Sequence, residues 1–202
     1  CLALKFWRLT NDHLGVEVMT VKMILAADQG NSIGWSDGSL PWRIGADMQR
    51  FKALTMGHAV LMGRLTYQSL KRPNGLPNRQ NIVLTKRLYS ETRGQFGEVD
   101  IISSFDWVER QQNVDPKKVL WIIGGAKVYA EAIERQVVDE IYFTQVHTIS
   151  GGDVILPFDM YGWKLFILRE RARGIVWNLD EPSSSSAQGE PDISFLTFRK
   201  IK

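Results

Sequence analysis

The sequence predicts an α/β fold: a mainly parallel central sheet with helices on both faces and an antiparallel edge hairpin at the C-terminal end. Three observations predict it. Short apolar runs alternate with segments of helical spacing as far as His147. The runs are continuous rather than alternating in polarity, as in strands covered on both faces. The last two strand-like segments have no helical segment between them, so they pair antiparallel.

The elements follow in order. "VKMILAAD" (21–28) is an apolar run ending in a polar loop, a buried strand. The loop "QGNSIGWSDGSLPW" (29–42) holds three glycines and a proline and is expected to be irregular and mobile. In "GADMQRFKALTMG" (45–57), Met48, Phe51, Leu54 and Thr55 or Met56 recur at helical spacing, and Gly57 is the stop signal. "HAVLMG" (58–63) is a strand, "RLTYQSL" (64–70) a short helix, and "KRPNGLPNRQ" (71–80) a turn-rich connection. "NIVLT" (81–85) and "VDIIS" (99–103) are strands, with a helix through "FDWVERQQ" (105–112). "KVLWIIGG" (118–125) runs straight into the helix "AKVYAEAIERQ" (126–136), and "DEIYFTQVH" (139–147) is the next strand. "WKLFILRERAR" (163–173) and "ISFLTFRKI" (193–201) form the edge pair, joined by the long polar hairpin loop "NLDEPSSSSAQGEPD" (178–192).

Composition narrows the class. The chain has 202 residues, 44% hydrophobic and 23% charged, which suits one substantial domain. A net charge of +3 with mixed signs and no basic stripe predicts no nucleic-acid partner. Cys1 is the single cysteine, so no intrachain disulfide forms. His13, His58 and His147 lack metal-ligand spacing, and no metal is predicted. No apolar run reaches the roughly 20 residues that span a bilayer, so a cytoplasmic location is expected. Residues 1–18 read as an appendage from cloning or upstream translation, with 19–202 as the domain; a docking arm built on Leu4, Phe6, Trp7 and Leu9 is the alternative.

Three strand ends carry suggestive chemistry, since ligands of open α/β sheets bind at the carboxyl ends of strands. In "LMGRLT" (61–66) a strand stops at Gly63 and a helix begins at Arg64, giving backbone N–H groups, a positive dipole end, a fixed charge and the Thr66 hydroxyl. A packed turn with a surface arginine fits the same pattern. In "WIIGGAKVY" (121–129) two glycines let a ligand approach the backbone closely, although the dinucleotide fingerprint is absent. In "VLTKR" (83–87), Thr85, Lys86 and Arg87 close a strand and, with Arg64 and Lys127, offer a site for a polyanion. A fourth feature is Asp47, set among Leu40, Trp42, Met48 and Phe51. Pattern alone leaves it as a helix cap, a surface charge or a carboxylate in an apolar pocket.

Together these segments resemble the dihydrofolate reductase family. The matching pieces are "AADQGNSIG", "LPW", "D..RFK", "VLMGRLTYQSL", "RPNGLPNRQNIVLT", "WIIGGAKVY" and "IYFT", in the family's order and over about residues 20–202. The resemblance implies a single-domain dihydrofolate-reductase-like fold, a monomer, and reduction of 7,8-dihydrofolate to tetrahydrofolate with NADPH. Hydride goes to pterin C6 and a proton to N5.

The resemblance also implies roles for particular residues. Asp47 is the acidic residue of the pterin pocket, accepting hydrogen bonds from the 2-amino group and N3 and favouring positive charge on the ring. The direct proton donor is water. Thr144 hydrogen-bonds that carboxylate, Trp42 holds an ordered water, and Leu40 lies on the loop that closes over the nicotinamide. Ala26 and Ile33 grip the nicotinamide amide through their carbonyls. Ile24, Ala26, Met48, Phe51, Leu70, Leu76 and Ile123 line the substrate slot, although plain core packing explains such apolar positions equally well. Arg79 holds the α-carboxylate of the glutamate tail with its planar fork. Gly63, Arg64, Leu65 and Thr66 form the phosphate-binding helix start. Leu84, Thr85, Lys86 and Lys127 lie where the adenosine 2′-phosphate is read, which favours NADPH over NADH. Ile123, Gly124, Gly125, Ala126, Val128 and Tyr129 complete the cofactor side, the glycine pair being joined by a cis peptide in the family.

Some positions depart from the pattern. Ala126 stands where a third glycine is usual, and Leu65 where a basic residue is common. The loop before Leu40 is one residue longer than in compact bacterial members, "RPNGLP" is slightly extended, and 178–192 is long. Two rivals remain at this point: a reductase of the same fold acting on a ribosylaminopyrimidine, and a non-catalytic relative that keeps only the fold.

Overall fold

The computed structural model describes residues 19–87, 96–110, 119–159, 163–166, 171–172, 175–176 and 191–200. The expectations for residues 1–18 and for most of the 178–192 loop lie outside these residues. Among the described residues the order is β1 (Thr20–Asp28), β2 (Ser32–Gly34), α1 (Gly45–Thr55), β3 (Ala59–Gly63), α2 (Arg64–Ser69) and β4 (Gln80–Leu84). Then come β5 (Asp100–Ile102), α3 (Asp106–Arg110), β6 (Val119–Gly124), α4 (Ala126–Glu134), β7 (Glu140–Val146) and β8 (Val154–Ile155). The chain closes with β9 (Trp163–Phe166), β10 (Arg171–Ala172), β11 (Ile175–Val176) and β12 (Ile193–Lys200).

The main sheet has eight strands in the order β5-β4-β3-β6-β1-β7-β12-β9. The pairings from β5 across to β7 are parallel, and β12 runs antiparallel to both β7 and β9. The predicted edge hairpin is therefore β9 with β12.

Strand parity divides the core. Val21, Met23, Leu25 and Ala27 of β1 point to one face, with Ala59 and Leu61 of β3, Ile82 of β4, Leu120 and Ile122 of β6, and Ile141 and Phe143 of β7. Val128, Tyr129 and Ala132 of α4 and Val108 of α3 cover that face. Ile24, Val60, Met62, Val83, Trp121 and Tyr142 point the other way, where Tyr67 of α2 and Phe51 and Leu54 of α1 pack. Alternate side chains of one strand emerge on opposite faces, so the middle of each central strand, such as Met23–Ala27 of β1 and Leu120–Ile123 of β6, is apolar at consecutive positions. This explains the continuous runs in the sequence.

Two expectations need correction. The loop after β1 is not wholly irregular: β2 pairs antiparallel with β8, Ser32 opposite Ile155 and Gly34 opposite Val154. The segment 163–173 is not one strand. β9 ends at Phe166, while β10 pairs with β11 in a separate sheet, Arg171 opposite Val176. Pairings of two or three residues are too short for a polarity period to reveal them.

Candidate active site

The first turn of α1 brings a carboxylate onto the second face of the sheet. Buried Ile44 precedes the helix and supplies no side-chain cap. Asp47 sits in that turn, where the helix dipole favours a negative charge. Its side chain turns away from the helix end: Thr144 Oγ1, fully buried on β7, donates a 2.7 Å hydrogen bond to Asp47 Oδ1. Burial pushes the Asp47 carboxyl above the ordinary range, and the Thr144 hydrogen bond and the Arg50 charge only partly oppose it.

Other side chains converge from separate elements. Trp42 is buried with Ile44, Val146 and Ile193, and its Nε1 has no protein acceptor among the described residues. It keeps a donor for a bound molecule. Tyr129 of α4 donates a 2.9 Å hydrogen bond to the Ile24 carbonyl of β1. Burial, reinforced by the Asp47 charge, pushes its phenol well above the usual range, so it stays protonated. Ile24, Phe51, Leu70, Leu76 and Ile123 belong to one apolar cluster, and Ala26 packs beside Trp42. Leu40 and Met48 are 55% and 54% exposed, at the rim rather than in the wall.

Arg79 marks the other end of α1. Its Nε donates to Thr55 Oγ1 at 2.8 Å and its Nη1 to the Pro77 carbonyl at 2.8 Å, with the guanidinium 5.8 Å from the Phe51 ring centroid. Thr55 lies eight positions along the helix from Asp47, about 12 Å of helix axis. Buried Asn81 shapes the loop that carries Leu76 and Arg79. Its Oδ1 accepts from the Leu76 N–H at 2.8 Å, and its Nδ2 donates to the Leu76 and Arg79 carbonyls at 2.9 and 3.1 Å. Gly75 has φ +66, and a Cβ there would lie 2.4 Å from Asn81 Oδ1, so this close turn requires glycine.

A second centre lies where two strand-to-helix turns abut. A Cβ on Gly63 would come within 3.0 Å of Val128 Cγ2, and one on Gly125 within 3.2 Å of Thr66 Oγ1. The Gly124–Gly125 peptide is cis. Neither α2 nor α4 has a side-chain cap at its start, so both present backbone N–H groups. Leu84, half-buried, stands opposite Gly63 across β3 and β4. Thr85 is buried and accepts from the Arg87 N–H at 3.2 Å, while Lys86, Arg87 and Lys127 are exposed. Arg64 Nη1 donates to Gln68 at 2.7 Å, and Leu65 is 63% exposed. Ala126 opens α4.

The loop after β1 is tied down over its first half. The buried Asp28 carboxylate accepts from Gly30 N at 2.9 Å, Ser32 N at 2.8 Å, Ser150 N at 2.7 Å and Ser150 Oγ at 2.6 Å. Ser36 N donates to Asp153 at 2.7 Å. Ile33, half-buried in β2, is held between these anchors. Sequence reading passed over Asp28, Arg50 and Asn81. An aspartate two residues before a glycine at a strand end is the usual sign of a side-chain-capped turn, and it marks Asp28 here.

The family model for dihydrofolate reductase matches residues 20–175. The chain belongs to the dihydrofolate reductase family. It is 36% identical to the dihydrofolate reductase of Bacillus subtilis over 146 residues, 72% of this chain and 80% of that protein. It is 35% identical to the type 3 dihydrofolate reductase of Salmonella typhimurium, covering 72% of this chain and 84% of that one. Among solved structures, a dihydrofolate reductase from Enterococcus faecalis complexed with NADP(H) and RAB-propyl superposes with a TM-score of 0.73. Identity there is 25%, over 91% of this chain and 97% of that one. The sheet, its edge hairpin and the helices on both faces are those of the dihydrofolate reductase fold.

Proposed function

We propose that this protein reduces 7,8-dihydrofolate to tetrahydrofolate with NADPH, and that Asp47 orients and polarises the pterin. The observation that carries the reading is the Asp47–Thr144 pair: a carboxylate held by one donor, on the sheet face lined by Ile24, Ala26 and Ile123. With one oxygen bonded to Thr144, the carboxylate keeps lone pairs for the planar donor pair of the 2-amino group and N3. Its negative charge favours the positive charge that develops as N5 is protonated. Trp42 Nε1 offers a donor for the water that delivers this proton.

The residues at the two abutting turns fit a pyrophosphate-bearing cofactor, because the close glycine backbone and uncapped helix starts form a cradle that side chains would fill. Gly63, Arg64, Thr66, Gly125 and Ala126 would hold the phosphates, with Thr85, Lys86 and Lys127 toward the 2′-phosphate. The chemistry the bound nicotinamide supplies is a hydride to pterin C6. Ala26 and Ile33 would hold the nicotinamide amide through their carbonyls, Tyr129 would stand near it, and Leu40 at the rim would exclude water when the loop closes. Arg79 clamps the glutamate tail at the far end of the slot.

The test is loss of NADPH absorbance on addition of dihydrofolate. Turnover is expected with dihydrofolate and not with a phosphorylated ribosylaminopyrimidine. Folded protein that turns over neither substrate contradicts the reading.

A further inference from the structure

Arg50 of α1 is a buried charge outside the roles described above. It is 8% exposed, on a helix whose other buried residue is Thr55. Burying a guanidinium is costly without compensation. Its Cζ lies 4.5 Å from the Phe195 ring centroid and 5.4 Å from that of Tyr142. Such stacking is worth more in a desolvated site than at the surface.

The sheet register shows where this puts the charge. Phe195 of β12 stands directly opposite Thr144 of β7, and Tyr142 is two residues from Thr144 on the same face. Thr144 is the donor to Asp47. Arg50 is also one turn along α1 from Asp47, on the same helix side. Adjacent strands lie about 4.8 Å apart, so both routes set the guanidinium beside the Asp47–Thr144 pair, under low dielectric.

We propose that Arg50, held by stacking on Phe195 and Tyr142, is a positioning charge that keeps Asp47 ionised near neutral pH. The other charged and titratable groups on the packed elements do not supply this charge. On β7, Glu140 is bonded to Lys22 of β1 at 2.9 Å and to Arg199 of β12 at 2.7 Å, a locally compensated group. Lys22 Nζ lies 5.2 Å from the Tyr142 ring centroid. Tyr129 of α4 stays protonated. Arg43 before α1, His147 after β7 and Asp192 before β12 are exposed, so their fields are screened by solvent. The inference deepens the proposed function and rests on it for the consequence in turnover.

The test reads Asp47 directly. Aspartate labelled with carbon-13 at Cγ is titrated by NMR in the full chain, with the Asp47 signal assigned by its loss in Asp47→Asn. Arg50→Met is expected to raise the Asp47 midpoint by about one pH unit or more, and Arg50→Lys to return most of that shift. Arg50→Gln carries the same test if Arg50→Met does not fold. An unchanged midpoint in a folded variant lacking the charge overturns the proposal, as does a midpoint in Arg50→Lys as high as in Arg50→Met. A shifted midpoint in a protein that does not turn over dihydrofolate sinks the functional reading and leaves this one standing.

Discussion

Thr144 and Asp47, 97 positions apart in the chain, are joined by a 2.7 Å hydrogen bond in which the hydroxyl donates and the carboxylate accepts. The bond ties the first turn of α1 to the carboxyl-terminal half of β7. It fixes the direction of a half-buried charge, and a hydrogen bond to a charged group is worth about 1.5–3 kcal/mol. Thr144→Val keeps the shape and removes the donor. We expect kcat/KM with dihydrofolate at neutral pH to fall by about 10- to 100-fold. A change smaller than twofold would show that the carboxylate does not need this partner.

Arg79 is gripped by Thr55 and the Pro77 carbonyl, and its Nη2 makes only a long 3.5 Å contact to the Lys52 carbonyl. Arg79→Leu is expected to raise the KM for dihydrofolate by about tenfold or more, the range of a lost charge-assisted pair. Binding of a pterin without the glutamate tail should change little. Equal weakening of both ligands, measured by fluorescence titration, argues against a tail clamp.

Buried Asp28 and half-buried Asp47 respond to pH with opposite sign. Burial would raise the Asp28 carboxyl, but hydrogen bonds from Ser150, Ser32 and Gly30 outweigh it and leave it below the ordinary value. Its contribution to stability is therefore present above the unfolded value of about 4 and is lost as pH falls through the lower folded value. Asp47 is raised, mainly by burial, so its ionisation weakens the fold as pH rises from about 4 through the folded value. Thermal melts across pH should show Asp28→Asn destabilised most at neutral pH, with the deficit shrinking in acid. Asp47→Asn should gain stability relative to the parent on going from acid to neutral pH. The same trend in both variants would contradict the assignment of these environments.

The proposed preference for NADPH depends on charge beyond the carboxyl ends of β3 and β4. Arg64 begins α2, and Lys86 is exposed beyond buried Thr85. Lys86→Leu is expected to raise the KM for NADPH about tenfold and leave that for NADH nearly unchanged, since only the former carries the 2′-phosphate, whereas Arg64→Leu, at the shared phosphates, should weaken both. Parallel losses for both cofactors in Lys86→Leu would place Lys86 elsewhere than at that phosphate.

Much of the fold was legible because its central strands are buried on both faces, which leaves unbroken apolar runs such as 23–27 and 119–123. Pairings of two or three residues, β2 with β8 and β10 with β11, carry no readable period. Asp47 drew attention because a charge stood among apolar residues at helical spacing. Asp28 did not, because Ser150, which supplies two of its four hydrogen bonds, is 122 positions away. Arg50 reads in sequence as one more charge on a solvated helix face. Its burial depends on Phe195 and Tyr142, aromatic side chains from strands far along the chain.

The central claim is that Asp47 is the polar anchor of the substrate slot and not a helix cap. Single-turnover reduction of dihydrofolate by NADPH, with NADPH affinity measured alongside for the parent and Asp47→Asn, tests it most directly. We predict that the variant folds and binds NADPH as the parent does, while its rate at neutral pH falls by about 100-fold or more. A variant that keeps the parent rate would contradict the account.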